Sequence, residues 1–291
     1  MGRNSDVSIG LPVYNGAQYL EAALDSLLQQ QLSELVISDN ASTDATQEIC
    51  ERYAAADSRI RYSRNDRNLG WMPNFKRVLE LSRGEYFMWA SHDDEWSPSY
   101  VADLRRGFDH GDRVMLSSGR TVYVNADGSP NAHGTAHAPP SAPVPTEQLV
   151  TLLLRQHATS WFYGLYRRTV LLDTIDRLFS YPDWGGDLLF LLHYCLRYDV
   201  VGDDNAVIYK RVVRESPFRP QTRWKRIKWQ GEYTWRLLQE IAKSPLSLAR
   251  KATLRDEVQS YLWFMVINQG RHRTARQVVR DVYHFGREWL R

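Results

Sequence analysis

Apolar and polar positions alternate between two periods along the first ninety residues. Val7-Ser8-Ile9-Gly10-Leu11-Pro12-Val13 is a short apolar run bounded by the turn signal Tyr14-Asn15-Gly16, which predicts a buried strand. From about Tyr19 to Gln30, Leu20, Ala23, Leu24, Leu27 and Leu28 recur at helical spacing and predict an amphipathic helix. Leu35-Val36-Ile37-Ser38 predicts a second strand ending at Asp39-Asn40. Thr43 or Asp44 can cap the next helix, with Gln47 three residues after Asp44, and that helix runs to about Ala56. Ile60-Arg61-Tyr62 predicts a third strand. After Asn68-Leu69-Gly70, Pro73 can open a helix whose stripe is Phe75, Val78, Leu79 and Leu81 and which Gly84 ends. Tyr86-Phe87-Met88-Trp89 is a fourth strand, and it runs into Ser91-His92-Asp93-Asp94 with Pro98 close behind.

This strand–helix alternation predicts an α/β fold with a mostly parallel sheet covered on both faces. Ligands of such sheets sit at the carboxyl ends of the strands. Tyr14, Asn15, Asp39, Asn40, Asp93 and Asp94 all fall at those ends. Two adjacent carboxylates at the mouth of a buried strand repel each other unless a positive charge lies beside them. A hard divalent cation suits them, although Asp is also common in plain turns. No GxGxxG follows the first strand and no GxxxxGK[ST] occurs, which argues against a dinucleotide dehydrogenase or a P-loop enzyme.

The second half is less regular. Residues 126–147 hold Pro130, Pro139, Pro140, Pro143 and Pro145 among Gly, Ala and Ser, and predict a long loop. Glu147 to Gln156 predicts a helix. Trp161-Phe162-Tyr163-Gly164-Leu165-Tyr166 predicts a buried aromatic strand ending in Arg167 and Arg168. Leu188 to Leu196 is apolar almost all round and predicts a buried helix. Asp187 stands at its start, where an aspartate serves as an N-cap. Ala206 to Tyr209 predicts a strand followed by Lys210, Arg211 and Arg214, either a solvated basic face or a set of cations for an anionic ligand.

Taken in order, Pro12-Val13-Tyr14-Asn15, Val36 to Asp44, Asn68-Leu69-Gly70, Arg83-Gly84-Glu85-Tyr86 and His92-Asp93-Asp94 resemble the family 2 glycosyltransferases. Those enzymes have the GT-A fold and use nucleotide-sugars. The resemblance covers roughly residues 6 to 125, weakens to isolated signals between 145 and 215 and fades beyond. It implies that Pro12, Tyr14 and Asn15 border a base and ribose, that Asp39 accepts from a pyrimidine N3–H, and that Asn68 and Gly70 line the nucleotide pocket. It implies a UDP- or dTDP-sugar donor and a glycan or lipid-linked acceptor. It also implies Mg²⁺ or Mn²⁺ at Asp93, the second acid of the family's Asp-x-Asp motif. The first acid is replaced here by Ser91, which weakens that site by one charge. Asp187 matches the catalytic acid position and would act as base in an inverting transfer, with Asp183 as second choice. Trp161 and Tyr163 would stack on an acceptor sugar. The rival reading is a nucleotide-binding protein that keeps the fold without catalysis. A nucleotidyltransferase is the third.

Charge adds one feature. The chain of 291 residues has a net charge of +3, but from Arg223 onward it carries 15 Lys/Arg against 6 Asp/Glu. We expect a GT-A domain over residues 1–221, with a nucleotide half over 1–125 and an acceptor half over 145–221. A basic helical region over 222–291 would follow it. Arg223, Trp224, Lys225, Arg226, Lys228 and Trp229 suit an anionic membrane surface, but a helix docked on the domain or a homodimer contact would use them as well. Nucleic acid is not expected, since no recognition motif accompanies the charge. Cys50 and Cys195 show no disulfide or metal spacing. With no membrane-spanning run they suggest a cytoplasmic protein, peripheral on the membrane at most.

Overall fold

The computed structural model describes residues 6–156, 158–181, 185–212 and 223–268, without the side chains of 179, 223–230 and 262–268. Asp183 and Arg214, and the side chains of Arg223, Trp224, Lys225, Arg226, Lys228 and Trp229, lie outside the described residues.

The nucleotide half follows the sequence pattern. Strands β1 (Val7–Val13), β2 (Glu34–Asp39), β3 (Ile60–Arg64) and β4 (Tyr86–Trp89) are joined by helices α1 (Leu20–Leu28), α2 (Thr46–Ala56) and α3 (Trp71–Leu81). All four strands are parallel, in the order β3-β2-β1-β4. β1, β2 and β4 are buried along their whole length, as continuous apolar runs in a doubly covered sheet should be. Pro12 comes after the last β1–β4 rung, Gly10 with Trp89, so its missing N–H breaks no bond to β4.

Beyond β4 the sheet becomes mixed. After β5 (Glu95–Trp96) and α4 (Tyr100–Arg106) comes the long β6 (Val114–Val124). The proline-rich stretch expected as a loop contains β7 (Pro130–Ala136), which pairs antiparallel with β6. Helix α5 (Thr146–Gln156) follows. The aromatic run is not one strand: Thr159–Tyr163 forms a 3-10 turn, and only Leu165–Arg167 is strand β8. The backbone is tight where they meet, since a Cβ on Gly164 would lie 2.5 Å from the Ser117 carbonyl oxygen. Helices α6 (Arg168–Phe179) and α7 (Gly186–Cys195) lead to β9 (Asp199–Arg211). The complete order is β3-β2-β1-β4-β8-β6-β9-β5, with β7 on β6.

Helices α8 (Arg223–Lys243) and α9 (Leu248–Asn268) pack onto this body. Tyr233, Leu237, Ile241, Leu254 and Val258 are buried in the same apolar cluster as α5, α6 and α7. Buried Glu240 of α8 adds a polar pin, with an oxygen 3.3 Å from His193 Nδ1 on α7 and another 3.2 Å from Arg177 on α6. Cys50 and Cys195 are buried free thiols. No helix among the described residues is long and apolar enough to cross a membrane.

Candidate active site

Two polar clusters form at the carboxyl end of the sheet. The first lies where β2 ends. Asn40 donates to the Asn68 side chain (2.9 Å) and the Gly70 carbonyl (3.0 Å), and its own oxygen accepts from Leu69 N–H and Asn65. Asn65 also reaches Asn74, which in turn bonds Ser38 twice. These amides hold the Asn68–Gly70 loop against β2. Gly70 sits there at φ 88°, a conformation that favours glycine. Asn65 and Asn74 were not singled out in the sequence, because a lone Asn in a helix or turn carries no motif.

Asp39 belongs to this cluster and is 0% exposed. Its Oδ1 accepts Ser42 N–H at 2.9 Å; its Oδ2 accepts from Tyr62 at 3.1 Å and from Arg64. Both Asp39 oxygens are thus taken by the chain itself, Oδ1 by Ser42 and Oδ2 by Tyr62 and Arg64. Pro12 is likewise buried, inside β1 opposite Ser38, and shapes the strand end from beneath. Tyr14 and Asn15 are exposed. Asn15, at φ 50°, ties the β1 loop to the β2 loop: its N–H donates to Ser42 Oγ and its side chain accepts Thr43 N–H. Asp44, expected as a helix cap, accepts Thr46 N–H and, with its other oxygen, Ala17 N–H, so it too joins the two loops.

The second cluster surrounds Tyr163. His92 packs on the β1 loop so closely that a Cβ on Gly16 would lie 2.6 Å from its ring. Asp94 is 1% exposed and points into the sheet, accepting Arg211 N–H at 2.9 Å, with Lys210 Nζ at 3.4 Å. Burial pushes its carboxyl above the ordinary aspartate range, and Lys210 pulls it back. Asp93 is the half-buried member of the pair, and Ser91 Oγ donates to it. Lys210 Nζ lies 4.3 Å from the centre of the Tyr163 ring. Burial raises the Tyr163 hydroxyl; Lys210 lowers it, and the charges of Asp94, Asp93 and Asp187 raise it further. Tyr123 of β6 is also raised by burial and feels Lys210, Asp94 and Asp187. Tyr123 was missed in the sequence because nothing in its strand distinguishes it.

The charge of Asp187 is felt by both Tyr163 and Tyr123. Asp187 is not the N-cap of α7. That position is Gly185, at φ 74°, and Asp187 lies in the first turn with Oδ1 accepting its neighbour Leu188 N–H. Tyr233 of α8 packs against Gly185, where a Cβ would lie 2.6 Å from the ring. Helix α8 thus buttresses the turn that precedes Asp187. Trp161 does not join the cluster. It is fully buried, its indole N–H donates to the His137 carbonyl, and it has no face for a sugar.

Among the described residues no group of three His, Cys, Asp or Glu could hold a metal by itself. Asp94 is turned inward, and Ser91 brings a neutral hydroxyl in place of a carboxylate two residues before Asp93. Asp93 remains as one carboxylate. That donor set fits a cation that arrives on a diphosphate and meets the chain through Asp93, as Mg²⁺ does with one or two carboxylates plus substrate phosphates.

A mixed α/β sheet of this order, with acids gathered at its carboxyl edge, is a GT-A fold, and the model of "Glycosyl transferase family 2" matches residues 8–174. The chain belongs to that family. It is similar to the putative teichuronic acid biosynthesis glycosyltransferase TuaG of Bacillus subtilis, 34% identical over 92 residues, which are 31% of this chain and 36% of TuaG. It is similar to the putative colanic acid biosynthesis glycosyl transferase WcaA of Escherichia coli, 36% identical over 106 residues, 35% of this chain and 37% of WcaA. The matched stretches thus span little more than a third of these relatives. Among solved structures, S. aureus TarS 1–349 in complex with UDP-GlcNAc aligns with a TM-score of 0.69 at 20% identity, over 96% of this chain and 80% of that one. The mannosyltransferase PcManGT from Pyrobaculum calidifontis, in complex with GDP-Man and Mn²⁺, aligns at 0.53 with 15% identity, over 99% and 81%. Both show the fold.

Proposed function

We propose that this chain transfers a hexosyl or deoxyhexosyl group from a nucleoside diphosphate donor, UDP- or dTDP-linked, to a hydroxyl of a glycan or lipid-linked saccharide, with inversion. The observation that carries this reading is the Asp94–Lys210 pair on the Tyr163 ring, next to Asp93 after β4, with the charge of Asp187 reaching the same ring. Family membership adds to it. The names of TuaG and WcaA favour an acceptor in surface polysaccharide assembly.

In this reading Asp187 takes the proton of the acceptor hydroxyl as its oxygen forms the new bond to the anomeric carbon. The bond from that carbon to the diphosphate breaks, and its electron pair leaves on the phosphate oxygen. Asp187 lies in the first turn of α7, where a helix N-terminus favours an anion. Asp93 would hold Mg²⁺ or Mn²⁺ on the diphosphate, and such an ion supplies charge stabilisation to the leaving group. Tyr14, Asn15, Asn68 and Gly70 would frame the nucleoside, with Asp39 reached once Arg64 moves. Tyr163 would border the acceptor.

The test is release of nucleoside diphosphate from a panel of UDP-, dTDP- and GDP-hexoses, with and without Mn²⁺, by the parent and by Asp93→Ala. The reading expects release from at least one donor and its loss in Asp93→Ala. Binding without release from any donor, even with mixed glycan acceptors, would favour the non-catalytic rival. The membrane and homodimer expectations rest on side chains from 223 to 229 and stay with vesicle co-sedimentation and solution mass.

A further inference from the structure

Lys210 and Arg211 are adjacent cations at the end of β9, and their surroundings differ sharply. Arg211 is tied down. Its guanidinium donates to the carbonyls of Asp93 (3.2 Å), Asn125 (3.3 Å) and Ala126 (2.9 Å) and to Glu95 (2.6 Å). It also lies over the Tyr19 ring, and its side chain is 8% exposed. Arg211 is a strap that closes the Asp93–Glu95 loop onto β9. Lys210 makes one long contact, 3.4 Å to Asp94, and rests on the Tyr163 face. Its side chain is 29% exposed. An ammonium has three N–H donors, so Lys210 keeps donors for a ligand. Asp94, Tyr163, Asp93 and Tyr123 outweigh burial and hold it well above the ordinary lysine range, so it stays charged at any working pH.

The same loop has lost the carboxylate that Ser91 replaces, and Asp94 is turned away into the sheet. The chain thus offers an incoming metal one carboxylate, and beside it a lysine with unused donors. We propose that Lys210 is the chain's own cation for the donor's diphosphate and binds it without a metal, so that a divalent ion at Asp93 serves the bond-breaking step and not the binding. The proposal rests on the nucleotide-sugar reading above. Asp94 has the complementary task of holding the ammonium in place, with its second oxygen satisfied by the Arg211 N–H.

The test is calorimetric titration with UDP, dTDP and GDP, each beside its monophosphate, in EDTA and in Mn²⁺. The proteins are the parent, Lys210→Arg, Lys210→Met and the double variant Lys210→Met/Asp94→Asn, which removes both charges and leaves no buried ion unpaired. In EDTA the parent should bind its preferred diphosphate within about tenfold of its affinity in Mn²⁺. Lys210→Met and the double variant should lose at least about tenfold for the diphosphate, with a smaller loss for the monophosphate; Lys210→Arg should recover most of it. A parent that binds diphosphate only with Mn²⁺ would overturn the proposal and leave the donor reading standing. So would a double variant that still prefers diphosphate to monophosphate as the parent does. Failure of every nucleotide to bind, with or without metal, would overturn both.

Discussion

At the end of β2 the Asn40 side chain takes part in four hydrogen bonds, all to other parts of the chain, and Asp39 is satisfied by Ser42, Tyr62 and Arg64. Around Tyr163, charges of both signs lie side by side, with Lys210 at 3.4 Å from Asp94 and Asp93 half-buried next to it. The first region is a framework, in which buried polar groups fix the backbone by answering one another. In the second, Lys210 keeps donors that the fold does not use, and these are available to a ligand. Residues of the two regions look alike in sequence, Asp and Asn at strand ends. What separates them is whether the chain itself supplies their partners.

Changes that remove chemistry should leave stability alone in the second region, and changes in the first should do the reverse. The largest effect is expected from Asp187→Asn. Its hydrogen bond to Leu188 N–H can be kept by the amide, so melting should barely move, while turnover falls by about 10² or more, the scale of a lost general base. Nucleoside diphosphate binding should survive. A fully active Asp187→Asn protein would remove this residue from the chemistry and direct attention to Asp183.

Asn40→Ala probes the framework. It strips partners from Asn65, Asn68 and the Leu69 N–H together, and should cost about 1–3 kcal/mol in denaturant unfolding. Little change in stability would mean that the network is redundant. Gly185→Ala tests the junction between the two behaviours. A residue with a Cβ at φ 74° costs about 1–2 kcal/mol, and here the Cβ also meets Tyr233. Both stability and turnover should fall, because the turn that precedes Asp187 rests on α8.

The smallest effect is a pH dependence of that same support. Burial lowers His193 from its ordinary value. Glu240 is held down to about 2, its burial outweighed by His193, Tyr181 and Arg177. Both groups bind protons more readily in the unfolded chain. Stability should therefore be full above about pH 6.5, decline modestly as His193 protonates on unfolding, and decline further from about pH 4.5 toward 2 as Glu240 does. Glu240→Gln should flatten the lower part of that curve in thermal melts run from pH 7 to pH 3.

The nucleotide half was legible because each strand there is an apolar run closed by a turn signal, and parallel strands buried on both faces leave that mark. β7 was not legible. Its residues are largely exposed, so backbone pairing with β6 defines it and no hydrophobic pattern does. The run from Trp161 to Tyr166 has strand composition, yet its first part is a 3-10 turn in which Phe162 stacks on Trp89 at 4.7 Å. Packing decided there, not propensity. Asp93 and Asp187 could be picked out as acids at element ends. That Lys210 meets Asp94 and lies level with Tyr123 depends on β9 lying beside β5 and β6 in the sheet, long-range pairings that no local pattern encodes. The burial of Asp39 was hidden for the same reason, since it depends on Arg64 folding over from β3.

The most direct test is a crystal structure with the nucleoside diphosphate that binds tightest, grown once in EDTA and once with Mn²⁺. The account predicts the diphosphate beside Lys210 and Asp93 in both, the nucleoside against Tyr14, Asn15 and the Asn68–Gly70 loop, and Asp187 facing the open side of the terminal phosphate. Nucleotide bound away from Lys210 and Asp93, for instance in the roughly 610 Å³ cavity between Asp103, Ser117 and Asp203, would contradict it.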